Sequence, residues 1–101
     1  MMNIKKIKDM EEILVSHRKI IDDFNDALDK FKESQKYYEK LSNYYSSSAY
    51  MDDLEESNQT EISPNISQGI YSEDLVFDLI GDNYQTAVKM LEIGLDIIKK
   101  H

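Results

Sequence analysis

The sequence predicts an all-α protein, and three observations predict it. Apolar residues recur at alternating spacings of three and four from Ile7 to Tyr45, with neither Gly nor Pro in that stretch. The whole chain of 101 residues holds only three Gly and one Pro, too few turn residues for a β-sandwich. Hydrophobic residues make up 41% and charged residues 32%, which is too apolar for a disordered chain. The expected architecture is a single helical domain over 1–101. In it, a long antiparallel helical hairpin carries a short helix in its connection, and two copies dimerise into a bundle.

The first element is expected over 4–45. Its stripe runs through Ile7, Met10, Leu14, Ile21, Phe24, Leu28, Phe31, Tyr38 and Tyr45, with His17, Gln35 and Ser42 filling the remaining positions. Ile13, Ile20, Ala27 and Leu41 widen the face by one row, beyond what a two-stranded seam needs. On the wet side Asp26–Lys30, Asp29–Lys32 and Glu33–Lys36 have ion-pair spacing. Such a helix is roughly 60 Å long at 1.5 Å per residue, more than a compact domain of this size spans.

The connection is expected over 46–71. Ser46, Ser47 and Ser48 end the first helix or cap the next. A short helix starting near Ser48 would carry Asp52, Asp53, Glu55 and Glu56 toward its positive end and pack through Tyr50, Met51 and Leu54. From Ser57 to Gln68, around Pro64, the chain reads as loop. The last helix is expected over 72–100. Gly81 followed by Asp82 and Gln85 predicts a kink or a brief break there, with Asp82 as a second N-cap. Gly94, on the apolar side, would let another helix approach closely. Lys99 and Lys100 complement the negative end of the dipole.

Charge is divided unevenly. Nine Lys or Arg face nine Asp or Glu from Met1 to Tyr45, whereas three face eleven from Ser46 to His101, where the net charge of −8 resides. No basic residue lies between Lys40 and Lys89. Such a surface repels nucleic-acid phosphates and anionic membranes and attracts a basic protein. No apolar run approaches the roughly 20 residues of a membrane span, and the start has no signal-peptide core, so the cytoplasm is the expected location.

Catalysis is not expected. Without Cys there is no thiolate zinc site and no Cys nucleophile. His17 has no second His near it and reads as a packed histidine. Phosphate-binding, dinucleotide and calcium loops are absent, and abundant carboxylates are not an acid–base pair without a pocket to split their pKa values. No cofactor or metal is expected, a carboxylate-bound metal enzyme being the least favoured class. The candidate partner-binding residues are Tyr44, Tyr45, Tyr50, Asp52, Asp53, Glu55, Glu56, Glu73 and Asp74. Five tyrosines, Tyr37 to Tyr50, fall within fourteen residues beside four acids. That pattern suits a protein–protein contact, because a tyrosine ring offers area at low entropic cost. It equally suits an aromatic cap on a helical hairpin. The function read from these features is a small acidic, non-catalytic interaction module. The alternative is an inhibitor or immunity-type protein that blocks a basic enzyme.

The order "MEEI", "YYEKLSNYYSSSAYMDDLE", a Pro, then "GIYSEDLVFDLI" and a final amphipathic helix resembles domain-of-unknown-function family 4298, from Met10 onward. The resemblance implies a small, mostly bacterial helical protein and supplies no activity. It singles out Tyr44, Tyr45, Tyr50, Asp53, Gly69, Ser72, Glu73 and Asp74. Trp is usual where Tyr50 stands, and an apolar residue where Tyr71 stands. "SED" is accounted for as a helix start: Ser72 as N-cap, Glu73 and Asp74 in the first turn. Ser72→Ala is therefore expected to cost about 1 kcal/mol in denaturant unfolding. Glu73→Gln should leave partner affinity unchanged; lost binding at unchanged stability would make "SED" a contact site.

Overall fold

The computed structural model describes residues 2–59 and 73–101. Among them are three helices and no strand: α1 (Ile4–Tyr45), α2 (Ser48–Gln59) and α3 (Glu73–Lys100). The chain divides into two compact units, Met1–Lys40 and Leu41–His101.

The first unit is a single helical element. Asn3 caps α1, its Oδ1 accepting the Lys6 N–H at 3.0 Å while its carbonyl accepts the Ile7 N–H. Ile4 to Asp9, ahead of Met10, therefore belong to the helix. Of the three expected ion pairs, Glu33–Lys36 closes at 3.1 Å, whereas Asp26–Lys30 and Asp29–Lys32 stay open. Arg18–Asp22 and Lys19–Asp23 close instead, at 2.8 and 2.6 Å. All are exposed and contribute little each. No residue of α1 is fully buried; up to Lys40 the helix has no neighbour within its own unit.

The second unit holds the end of α1, then α2 and α3. α1 ends where its ladder tightens: Ser46 N–H still reaches the Ser42 carbonyl, but Ser47 N–H reaches the nearer Tyr44 carbonyl at 3.0 Å. α2 starts at Ser48 as expected but continues to Gln59, into the stretch read as loop. Ser57, Asn58 and Gln59 include neither Gly nor Pro, and polar residues of this kind tolerate a helix. The rest of the expected loop, with Gly69 and Ser72, lies outside the described residues. The fully buried apolar residues among those described are Tyr50 and Val76, at 1% and 4% exposure.

Two expectations for α3 are corrected. The helix runs unbroken through Gly81, without a brief break or a second N-cap at Asp82. Instead the Asp82 carbonyl accepts the Thr86 hydroxyl at 2.7 Å, inside a continuing ladder. A glycine in a helix interior costs only about 1 kcal/mol, which twenty-eight residues of helix absorb. Gly94 admits no close neighbour: a Cβ built on it, or on Gly81, meets nothing within 4 Å. Gly81→Ala and Gly94→Ala should therefore each stabilise the protein by up to about 1 kcal/mol in urea unfolding. A loss at either site would mean that the chain needs the glycine's freedom there.

Candidate functional site

The candidate residues divide into those used inside the molecule and those left outside. Ser47 organises the first group. It stands between α1 and α2, its hydroxyl donating to the Tyr44 carbonyl at 2.6 Å and accepting the Tyr50 N–H at 3.4 Å. One side chain thus serves a carbonyl in the last turn of α1, which also accepts the Ser47 N–H, and an N–H in the first turn of α2.

That turn delivers Tyr50 between two rings of α1. Tyr44 meets it edge-to-face with centroids 5.5 Å apart, and Tyr45 meets it tilted at 5.0 Å. Both are geometries that the ring quadrupoles favour. One turn further along α2, Asp53 accepts the Tyr44 hydroxyl at 2.6 Å. That length lies in the range of about 2.5–2.7 Å for a hydroxyl bound to a carboxylate. Tyr44, Tyr45 and Asp53 are half-buried and Tyr50 is buried. Together they form an aromatic cap between the two helices.

The second group faces water. Asp52, Glu55 and Glu56 are exposed on α2. Met51, 57% exposed, and the half-buried Leu54 line a shallow groove with Asp52 and Glu55. On α3, Asp74 and Asp78 are exposed; Glu73 is the first residue of the helix, and its side chain lies outside what the structure describes. Tyr37 stands apart from the cap, exposed, with the Lys40 ammonium 5.6 Å from its ring centre. Among the described residues no three His, Asp or Glu side chains gather closely enough to hold a metal ion. No helix among them is long and apolar enough to cross a membrane.

Sequence reasoning named the tyrosines and Asp53 but did not assign the bond between Tyr44 and Asp53, nor Ser47 as the residue joining the helices. The only sequence signal for the latter was a run of three serines between two helical patterns.

The family described as a domain of unknown function (DUF4298) matches residues 7–93. The chain belongs to this family. No curated protein and no solved structure matches it significantly. Of the eight residues that the sequence resemblance singles out, Tyr44, Tyr45, Tyr50 and Asp53 are the four that make the cap. In this DUF4298 member they set the direction in which the chain leaves α1.

The cap makes a quantitative prediction. Tyr44→Phe and Asp53→Ala should each cost about 1 kcal/mol, and the double variant scarcely more than either, because both remove the same bond. Tyr50→Ala should cost about 3–5 kcal/mol. Fully additive effects in a urea-unfolding cycle would disprove the Tyr44–Asp53 coupling.

Proposed function

We propose that this DUF4298 protein is a non-catalytic interaction module whose acidic unit docks a basic protein. The observation that carries the proposal is the division of carboxylates on α2. Asp53 is spent on Tyr44, while Asp52, Glu55 and Glu56 point to solvent beside Met51 and Leu54. A Lys or Arg side chain suits such a surface. Its aliphatic stem lies along Met51 and Leu54, and its charged head reaches Asp52 or Glu55. No basic residue from Leu41 to Val88 competes for those acids from within the chain. A partner held this way associates quickly at low salt and releases as salt rises.

An antiparallel hairpin of α1 and α3 is part of the same proposal. It is supported by the three-four recurrence of buried and half-buried apolar residues in α3, at Val76, Ile80, Ala87 and Met90, which repeats the pattern of α1. The narrower reading, an inhibitor or immunity-type protein, uses the same acidic surface. It differs in that docking abolishes the activity of a basic enzyme.

The test is the triple variant Asp52→Asn, Glu55→Gln, Glu56→Gln, which leaves the cap intact. Relief of like-charge repulsion should raise the melting temperature of the free protein by roughly 2–4 °C at low salt, and by nothing in high salt. Host-extract capture with cross-link mapping should retain a basic protein against α2, and the triple variant should lose it. Equal retention by the variant, or cross-links elsewhere, would refute the acidic docking surface.

A further inference from the structure

The first half of α1 carries apolar residues that its own unit leaves bare. Ile7, Met10, Leu14 and Phe24 on the stripe, and Ile13 and Ile20 in the flanking row, are each between 51% and 63% exposed. Ile21 within this stretch is half-buried, and so, further along, are Leu28, Phe31 and Tyr38. The bare segment also bears a shallow groove lined by Lys6, Ile7, Met10, Glu11 and Leu14. A row of large apolar side chains at coiled-coil spacing needs cover by another helix.

We propose that this segment, residues 7–24, pairs antiparallel with the same segment of a second copy, forming a two-fold homodimer independent of the acidic docking surface. Charge complementarity selects both the occupant and the register. In an antiparallel pair each stripe position faces its counterpart, and the flanking rows face their own kind. One register sets Ile7 opposite Phe24 of the second copy, Met10 opposite Ile21, and Leu14 opposite His17. The flanking rows then place Ile13 against Ile20 on one side and Glu11 against Arg18 on the other. Two-fold symmetry makes every contact twice. A shift of one heptad in one direction brings Glu11 onto Glu11; a shift in the other brings Arg18 onto Arg18. A shift of two heptads gives Glu11 a partner in Lys32, but it draws on Leu28, Phe31 and Tyr38, which are already half-buried, instead of the bare segment.

The overlap is about 27 Å long. Arg18 already binds Asp22 of its own helix at 2.8 Å through one guanidinium nitrogen. Its other donors stay available to Glu11 of the second copy. His17 is the one poorly apolar side chain of the proposed seam, so the dimer is weak, and the seam improves if that residue becomes apolar.

The full-length protein is tested by sedimentation equilibrium over a range of concentrations. Wild type should show a reversible monomer–dimer equilibrium, and His17→Leu should tighten it about tenfold. Arg18→Glu and Glu11→Arg should each weaken it about tenfold, and the double exchange should restore it to within about threefold. Arg18→Glu also sets a like charge beside Asp22, but the double variant keeps that defect, so rescue isolates the contact between copies. Because the chain has no Cys, an oxidised equimolar mixture of Ile7→Cys and Phe24→Cys should give mainly the mixed disulfide. A monomer at high micromolar concentration would overturn the proposal. So would homodisulfides alone, failure of the double exchange to rescue, or weakening by Lys32→Glu as strong as by Arg18→Glu.

Discussion

Everything in the second unit depends on how the chain leaves α1. With Tyr50 and Val76 the fully buried apolar residues among those described, few contacts are available to fix the angle between helices. The junction concentrates them. Ser47 joins the last turn of one helix to the first turn of the next, Tyr50 enters between Tyr44 and Tyr45, and Asp53 holds the Tyr44 hydroxyl. Each component is modest, about 0.5–1.5 kcal/mol for an aromatic pair and about 1 kcal/mol for a hydrogen bond. They cooperate because all act on the same few dihedrals between Tyr44 and Tyr50. Once those are set, α2 has one direction, and the side on which its remaining carboxylates face water is set too.

The acids of α2 are therefore not equivalent. Asp53 gives up solvent for a charge-assisted bond and becomes part of the scaffold, while its neighbours keep theirs. A rigid junction immediately before an exposed acidic turn is a useful combination for recognition. The acids are presented by a helix whose start is locked, so less entropy is lost when a partner binds. The same rigidity bears on the DUF4298 resemblance. Half of the residues it singles out serve the cap, which explains their chemistry without any catalytic role.

Apolar content tells a second story. A chain of 101 residues with 41% hydrophobic side chains has more apolar surface than so small a chain buries well. The excess lies on helix faces at regular spacing, with Leu91, Leu95 and Ile98 of α3 more than half exposed, like Ile7, Met10 and Leu14 of α1. Regular spacing favours cover by helices over irregular aggregation, and alternating charges beside the stripe restrict which helix and which register.

Much of the fold was legible in the sequence. The three-four stripe gives α1 its ends at Ile4 and Tyr45, and the serine run gives α2 its start, because both signals are local and act through a few residues of backbone. Local signals overstated Gly81, where a brief break was one expectation and the helix continues, since one glycine is too small a perturbation to stop a long ladder. They failed again at Ser57, where polar residues alone did not end α2, which continues to Gln59. The sequence by itself determined the helical class, the length of α1, the absence of thiol chemistry and the acidic character of the chain beyond Lys40. Only the tertiary structure decided which tyrosines form the cap, that Asp53 and not Asp52 is committed to it, and that Tyr50 rather than a residue of the long stripe is the most buried side chain. The reason is physical. Helical periodicity fixes the face on which a residue lies, whereas burial and bonding depend on which faces the turn at Ser47 brings together.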